Sequence, residues 1–274
     1  MIARIIEINA NDLFCEINNQ IIKLHAPGKW KYQKIKLVAN DLLEVNDSYE
    51  IIKLIDRKNY LNRPKVANLD YVILVFSLKD PELNLKQLMK FMIYFESQLN
   101  FKPLIAFSKL DLLKNYEEFN KIYQALIDSN YQVFRLNNDQ DFDQLKNLIK
   151  DKTTLFCGHS GVGKSTLIKR LDNSIQIWTQ EVSTKLKRGK NTTTSTKLYR
   201  FLDGYLVDSP GFSIFKLELS KEQLSYGLID FKNLQTLCKF KDCQHLENSI
   251  DCAVKKQINT LIYQIYLSLI STIF

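Results

Sequence analysis

The stretch Gly158-His159-Ser160-Gly161-Val162-Gly163-Lys164-Ser165 matches the pattern G-x-x-x-x-G-K-[ST], which wraps the phosphates of a nucleoside triphosphate. Residues 154–157 before it read as a short buried strand, and residues 165–171 after it have helical spacing. A phosphate-binding loop requires this context of strand, loop and helix. The sequence therefore predicts an α/β nucleotide-binding fold and an NTPase.

The residue types in this loop follow from its chemistry. Backbone N–H groups must approach anionic oxygens closely, and glycine allows the required dihedral angles without a Cβ in the way. The chain has only eight glycines in 274 residues, yet three of them lie within 158–163. Lys164 is predicted to bridge the β- and γ-phosphates and Ser165 to ligate Mg²⁺. The predicted nucleotide-binding segment runs from Gly158 to Thr166, and within it His159 is either a further polar contributor or a solvent-facing residue.

A second candidate element, Ser108-Lys109-Leu110-Asp111, stands at the end of a predicted strand over 103–107. In open α/β sheets, ligands bind beyond the carboxyl ends of the strands. The element resembles the [NT]-K-x-D motif of GTPases, whose aspartate accepts hydrogen bonds from guanine, so Asp111 would select GTP over ATP. Ser108 departs from the usual Asn or Thr, and an ordinary Lys-x-Asp turn is the alternative interpretation.

Two further segments resemble the switches of a GTPase. Asp208-Ser209-Pro210-Gly211 follows a predicted strand over 204–207 and has the D-x-x-G pattern. Asp208 would hold Mg²⁺ through water, and the Gly211 amide would sense the γ-phosphate. The polar loop 185–194 suits a first switch, in which Thr192, Thr193 or Thr194 would complete the Mg²⁺ shell, although threonine runs are also common in ordinary loops.

The order of these motifs is unusual. In conventional GTPases the phosphate loop and switches precede the base motif, whereas here the base motif at 108 comes first. A binding site requires each strand end to occupy its place in the sheet but does not require one chain order. The sequence therefore predicts a circularly permuted GTPase domain, whose second switch leads directly into a C-terminal region.

That C-terminal region contains three thiols and one imidazole in the spacing Cys238-x4-Cys243-x-His245-x6-Cys252. Cys₃His is a ligand set of structural zinc sites, with no position left open for catalysis. The alternative is three unrelated cysteines beside a surface histidine. Cys15 and Cys157 lie apart from this cluster and are predicted to be small buried hydrophobic residues.

The N-terminal region predicts about five short strands in under sixty residues, within 3–8, 13–17, 21–24, 35–38, 42–45 and 49–55. This pattern favours a small barrel such as an OB-fold. No acidic residue lies between Glu16 and Asp41, where lysines alternate with His25, Trp30 and Tyr32. Lysines beside stacking aromatics are typical of nucleic-acid binding. The alternative is a solvated lysine face.

Composition sets the broad class of protein. A chain of 274 residues with 45% hydrophobic residues predicts two or three globular domains, and a net charge of +8 suggests a polyanionic partner. The start lacks the apolar stretch of a signal peptide, and five cysteines, an odd number, argue against a disulfide framework. We expect a cytoplasmic protein. The uncharged segment 257–274 fits an amphipathic helix docked on its own domain better than a membrane span.

Taken together, these motifs resemble the ribosome small-subunit-dependent GTPase A (RsgA, or YjeQ) family. The resemblance runs nearly end to end and includes residues 63–70 at the first domain junction and residues 238–245 at the cysteine cluster. It implies an OB-fold RNA-binding domain over 1–63, a permuted GTPase domain with a doubly wound sheet over 64–215, and a helical zinc domain over 216–274.

The family also implies a function. Its members are GTPases that bind GTP and Mg²⁺, carry one structural zinc ion, and act on the small ribosomal subunit and its rRNA late in assembly, leaving after hydrolysis to GDP and phosphate. The resemblance therefore implies a monomer with no membrane and no DNA partner.

Some residues depart from the family pattern. Asn191 stands where a histidine is common, and Phe212 follows the D-x-x-G pattern where other GTPases have a catalytic glutamine. The supporting element of the base site falls at Arg135-Leu136. The sequence therefore predicts slow intrinsic hydrolysis that the subunit stimulates, with Asn191 as a candidate for orienting water. Two alternatives stay open: an RNA-binding assembly module with negligible hydrolysis, and a P-loop kinase or ATPase acting on a metabolite.

Overall fold

The computed structural model describes residues 1–175, 196–208 and 217–272, and most of the predicted strands form within them. Their bounds are β1 (Ile2–Asn9), β2 (Asp12–Ile17), β3 (Gln20–His25), β4 (Leu42–Val45), β5 (Ile51–Leu54), β6 (Tyr60–Leu61), β7 (Val66–Ala67), β8 (Tyr71–Ser77), β9 (Leu104–Ser108), β10 (Val133–Arg135), β11 (Thr153–Cys157), β12 (Lys197–Phe201) and β13 (Gly204–Asp208).

The helices in the same described ranges are α1 (Gly28–Tyr32), α2 (Leu85–Leu99), α3 (Glu117–Asp128), α4 (Asp139–Ile149), α5 (Lys164–Leu171), α6 (Lys221–Tyr226), α7 (Ile229–Gln235), α8 (Ala253–Gln257) and α9 (Thr260–Ile270). A short 3-10 helix spans Leu110–Leu112. No helix in this described part of the chain has the length and the apolar character needed to cross a bilayer.

The chain folds into two compact units. The first contains residues 1–71, 148–156 and the described part of 165–213. The second contains residues 72–147, 157–164 and the described part of 214–274. These two compact units divide the chain differently from the three predicted domains. The domain boundaries at 63 and 215 stay a prediction.

The first unit begins with five antiparallel strands in the order β3-β2-β1-β4-β5. Alternate side chains of these strands, among them Ile5, Cys15 and Leu43, point inward and form one hydrophobic cluster with Trp30 of helix α1. The five-stranded N-terminal sheet therefore agrees with the predicted small β domain.

One predicted strand of this region, 35–38, is wrong. This segment is irregular and follows helix α1. Trp30 of α1 inserts into the core with only 5% of its surface exposed. The chain then turns at Asp41, whose buried carboxylate accepts hydrogen bonds from the Val38 amide at 2.8 Å and the Arg57 guanidinium at 2.7 and 2.8 Å. These bonds satisfy the carboxylate of Asp41 and fix the irregular segment.

The rest of the first unit extends this sheet. Strand β12 pairs antiparallel with β1 and with β13, and β13 pairs parallel with β11, where Leu155 lies opposite Val207. Gly204 starts β13 against the chain before β11, since a Cβ on this residue would lie 2.2 Å from the Lys152 carbonyl oxygen. The carboxyl ends of β11 and β13 consequently lie side by side.

The second unit contains three parallel strands in the order β10-β9-β8. The continuous apolar sequences of β8 and β9 are buried on both faces, as expected for a parallel sheet covered by helices. Helix α2 starts at Asn84, whose side chain accepts a hydrogen bond from the Gln87 amide at 3.0 Å. Helix α9 packs against α2 and α3, so the predicted amphipathic helix within 257–274 is docked inside this unit.

Candidate functional site

The phosphate loop lies between β11 and α5, as the sequence predicts. Gly158, Gly161 and Gly163 all have positive φ angles, of 150°, 83° and 92°. A Cβ on Gly158 would lie 2.1 Å from the Val75 carbonyl oxygen, which no side chain can tolerate. Glycine at position 158 therefore lets the loop lie directly against the end of β8.

Lys164 is the cation of this loop. Its Nζ donates hydrogen bonds to the Gly158 and His159 carbonyl oxygens, each at 2.6 Å. Burial lowers the pKa of Lys164 to about 8, and the nearby Cys157 thiol partly opposes this shift. A phosphate group bound in the loop would favour the charged ammonium, because an opposite charge raises the pKa of a buried lysine.

The candidate base element follows β9. Ser108 is the last residue of the strand, and its hydroxyl donates a hydrogen bond to the Val162 carbonyl oxygen of the phosphate loop at 2.6 Å. Lys109 has a left-handed backbone, and its ammonium donates to the Asp80 carbonyl oxygen. Leu110 is buried and Asp111 is exposed, so the carboxylate of Asp111 is available for an external ligand.

The supporting element at Arg135-Leu136 is held in place from the neighbouring strand and helix. The Arg135 guanidinium donates to both carboxylate oxygens of Asp141, at 2.8 and 3.3 Å, and the Leu136 amide donates to the Phe107 carbonyl oxygen at 2.9 Å. The end of β10 is therefore fixed beside the end of β9, which carries the base element.

Sequence reasoning missed the segment that joins β8 to α2. The Ser77 hydroxyl donates to the Pro81 carbonyl oxygen at 2.6 Å, and a Cβ on Gly161 would lie 3.8 Å from the ring of Pro81. In the first turn of α2, the Gln87 side-chain oxygen pairs with the His159 imidazole. The available signal was the position of this segment, directly after a buried strand, where ligand sites of parallel sheets lie.

The predicted magnesium ligands lie in the first unit. Ser165 is exposed in the first turn of α5, and Asp208 is the half-buried last residue of β13. Because Val207 lies opposite Leu155, Asp208 lies beside the carboxyl end of β11. The remaining switch residues lie outside the described residues: Asn191, Thr192, Thr193, Thr194, Gly211 and Phe212.

The predicted metal ligands come together in the second unit. One ligand atom from each of Cys238, Cys243, His245 and Cys252 lies within 4.8 Å of the others. The Nδ1 atom of His245 is 3.4 Å from the Cys252 sulfur and 3.8 Å from the Cys238 sulfur. With zinc–ligand bonds of about 2.0–2.3 Å, these spacings fit one tetrahedral ion.

Burial favours the uncharged forms of these ligands when no cation is bound. It lowers the pKa of His245 to about 4 and raises the pKa of Cys252 to about 11. Among the residues that the structure describes, the buried Nε2 atom of His245 has no hydrogen-bond partner of standard geometry. A zinc ion would hold the thiols as thiolates and the imidazole in its neutral form, so the donor set fits zinc.

Aromatic residues hold the histidine in position. The Tyr263 hydroxyl donates to the His245 carbonyl oxygen at 3.0 Å, and the Tyr266 hydroxyl donates to that of Gln244 at 2.8 Å. The Phe231 ring meets the imidazole edge-on at a centroid distance of 5.5 Å. The metal ligands are thus supported by α7 and α9.

The N-terminal region gives a mixed result for the predicted nucleic-acid surface. Tyr32 is 88% exposed, and the side chain of His25 is exposed, so both remain available for stacking on bases. Trp30 is buried in the core, so the interpretation of this residue as a stacking aromatic is wrong. Lys23 pairs with Asp12 at 2.7 Å, so its charge is partly neutralised.

The site combines a glycine-rich loop that ends in a lysine with a Lys-x-Asp element at the end of an earlier strand. Ser108, at the start of that element, is hydrogen-bonded to the loop. These features define a P-loop nucleotide hydrolase with permuted motif order. The family model described as RsgA GTPase matches residues 54–218. The small ribosomal subunit biogenesis GTPase RsgA of Mycoplasmoides gallisepticum is 73% identical over 273 residues, which cover 100% of both chains. The chain belongs to the RsgA GTPase family.

Solved structures support the fold. The crystal structure of YjeQ from Thermotoga maritima is similar with a TM-score of 0.78 at 26% identity, covering 99% of this chain and 97% of that one. YloQ, a circularly permuted GTPase, is similar with a TM-score of 0.73 at 24% identity, covering 99% and 94% of the two chains. The predicted fold class, including the permuted GTPase domain, is confirmed.

Proposed function

We propose that this GTPase acts in late maturation of the small ribosomal subunit, hydrolyses GTP to GDP and phosphate when the subunit stimulates it, and then dissociates. The phosphate loop with Lys164 carries this proposal, and the relative from Mycoplasmoides gallisepticum is named for small ribosomal subunit biogenesis. We further propose that it works as a cytoplasmic monomer with rRNA as its nucleic-acid partner and without membrane or DNA partners.

The proposed roles follow the chemistry of phosphoryl transfer, in which the protein mainly positions groups and stabilises charge. Lys164 would neutralise the β- and γ-phosphates, and the loop amides from Gly158 to Thr166 would cradle them. Ser165 and Asp208, with one threonine among 192–194, would hold Mg²⁺, which would offset the developing phosphate charge. Gly211 would contact the γ-phosphate, and Asn191 would orient the attacking water.

Base selection is assigned to Asp111. Its exposed carboxylate would accept hydrogen bonds from the guanine N1–H and exocyclic amine, a pairing that adenine cannot offer. Lys109 and Leu110 support this residue, since Leu110 is buried and the Lys109 ammonium is held at Asp80. We expect Asp111→Ala to reduce the preference for GTP over ATP, while Asp143→Ala on the exposed face of α4 leaves it unchanged.

We assign a separate function to each of the three predicted domains. Residues 1–63 would bind RNA through exposed groups such as His25 and Tyr32 beside Lys29, Lys34 and Lys36. Residues 64–215 would bind and hydrolyse GTP. Residues 216–274 would form a helical domain held by one structural zinc ion at Cys238, Cys243, His245 and Cys252.

The decisive experiment measures GTP hydrolysis with and without purified small ribosomal subunits, alongside ATP. We expect a rise by orders of magnitude with subunits that is confined to GTP. Lys164→Ala should abolish this turnover, because it removes the only cation that contacts the loop carbonyls in the described residues. An unchanged rate in Lys164→Ala, or no stimulation by subunits, would contradict the proposal.

A further inference from the structure

Helix α2 contacts two distant parts of the second unit. Its first turn contacts the phosphate loop through Gln87, and its last turns contact α6 and α7 through Glu96 and Ser97. Gln87 and Glu96 are separated by about 14 Å along the helix axis, at about 1.5 Å per residue. One rigid element therefore touches both the nucleotide loop and the C-terminal helices.

At the loop end, His159 receives two contacts. Its imidazole Nε2 pairs with the Gln87 side-chain oxygen, and its carbonyl oxygen accepts a hydrogen bond from Lys164 at 2.6 Å. A carboxamide oxygen only accepts, so the imidazole carries its proton on Nε2 in this pairing. A movement of the His159 backbone would consequently shift or break the hydrogen bond to the first turn of α2.

At the other end, the Glu96 side chain is 2% exposed. Its carboxylate accepts hydrogen bonds from the Ile229 amide, at the start of α7, at 2.8 Å and from the Tyr131 hydroxyl at 2.6 Å. The Gln223 side chain of α6 donates to the Ser97 hydroxyl at 3.1 Å.

The backbone after α6 also lies against α2. A Cβ on Gly227 would lie 2.6 Å from a side-chain carbon of Ile93 and 3.1 Å from its carbonyl oxygen. Helices α6 and α7 are therefore packed directly against α2, so a movement of α2 would change their position or their exposure to solvent.

Lys164 supplies the two arrangements that such coupling requires. Its ammonium donates to the Gly158 and His159 carbonyl oxygens in this structure. It would turn toward phosphates bound in the loop, because a phosphate oxygen is the stronger acceptor. Transfer of the ammonium to a phosphate would release the carbonyl oxygen of His159, the residue whose imidazole pairs with Gln87.

We propose that α2 couples nucleotide binding in the phosphate loop to the seating of α6 and α7, with Gln87 as the positioning residue at the loop and Glu96 at the helices. This connection runs inside the second unit and is separate from the chain that leaves β13. Since coupling free energies are reciprocal, loosening the contact at Glu96 also changes the affinity for nucleotide.

The test is hydrogen–deuterium exchange of the full-length zinc-loaded protein, with and without a saturating non-hydrolysable GTP analogue. In the wild type, we expect the exchange rates of amides in 221–235 to differ several-fold between the two conditions. In Gln87→Ala this nucleotide-dependent difference should largely disappear although the analogue still binds. Gln98→Ala, at an exposed position of the same helix, is the matched control and should behave as the wild type.

The reciprocal measurement is the dissociation rate of the analogue from Glu96→Ala, which removes the acceptor for the Ile229 amide, and we expect this rate to change several-fold with zinc content unchanged. Should that variant fail to fold, Ser97→Ala loosens the same end at an exposed position. The coupling is refuted if 221–235 exchanges identically with and without bound analogue, or if Gln87→Ala keeps the full difference. Failure of the wild type to bind the analogue would instead contradict the GTPase site itself.

Discussion

The Ser108 hydroxyl donates a hydrogen bond to the Val162 carbonyl oxygen at 2.6 Å, joining the end of β9 to the phosphate loop. Both residues are buried, with 8% and 2% of their surfaces exposed. The strand that presents the base-selecting Asp111 therefore also supports the loop that holds the phosphates. The Ser108 hydroxyl therefore stabilises the phosphate loop, whereas the resemblance to the GTPase motif assigns this position to base recognition.

We expect Ser108→Ala to weaken GTP binding without changing base preference. The substitution leaves the buried Val162 carbonyl oxygen without this donor, at a cost of about 1–3 kcal/mol. If most of that cost falls on the nucleotide-binding conformation, the Kd for GTP rises about tenfold. Titration of GTP and ATP against both proteins checks this, with Ser108→Thr retaining a hydroxyl. A lost preference for GTP would instead indicate a direct contact with the base.

Gly158→Ala should destabilise the phosphate loop. The new Cβ would lie 2.1 Å from the Val75 carbonyl oxygen, and the backbone at φ 150° disfavours any side chain. We expect a loss of at least about 2 kcal/mol in the free energy of unfolding and loss of GTP binding. The matched control is Gly28→Ala, where nothing lies within 4 Å of the added Cβ. Equal stability of the two variants in thermal unfolding would show that the loop does not lie against β8.

Patterns with a strict chemical requirement could be predicted from the sequence. Closely spaced glycines before Lys164 predict the phosphate loop, because few other structures need three positive φ angles in so short a segment. The cysteine cluster is predicted for a similar reason, since three thiols and an imidazole at short spacing are rare outside metal sites. The buried strands β8 and β9 follow from their continuous apolar runs.

Contacts between segments distant in sequence could not be predicted. Trp30 looks like a surface aromatic among lysines, but the tertiary structure buries it. Helix α1 forms around it, and the predicted strand at 35–38 is an irregular segment. The pairing of His159 with Gln87 depends on where α2 starts relative to the loop, which local spacing does not encode. Short-range patterns therefore locate the site, and the fold supplies the groups that support it.

Removing zinc should unfold the helices around the cysteine cluster while leaving the phosphate loop able to bind nucleotide. We expect one zinc per chain by elemental analysis, and none in Cys252→Ala, because its sulfur lies 3.4 Å from the His245 Nδ1. Cys15→Ala, which removes a buried cysteine of the N-terminal core, should keep one zinc. Full zinc occupancy in Cys252→Ala would exclude that thiol as a ligand.

Glu96 makes the stability of the second unit depend on pH. Burial raises the pKa of Glu96 to about 7 from an ordinary value of 4.5, against the opposing hydrogen bonds from Tyr131 and Ile229. Between these two values the folded protein binds more protons than the unfolded chain does, so the free energy of unfolding falls as pH rises. Below pH 4.5 the carboxyl is protonated in both states, and the contribution vanishes.

Glu96→Gln should remove this pH dependence, because the amide keeps an acceptor for the Ile229 amide but carries no charge. Relative to wild type, we expect the free energy of unfolding of the variant to improve by up to about 3 kcal/mol between pH 5 and pH 8, since each pKa unit corresponds to about 1.4 kcal/mol. Urea unfolding at both pH values measures the change, with Glu118→Gln at an exposed position as control. A pH-independent difference between variant and wild type would mean that Glu96 stays ionised throughout and acts as a fixed anchor for α7. In that case the contact with the Ile229 amide would stabilise the helix equally at both pH values.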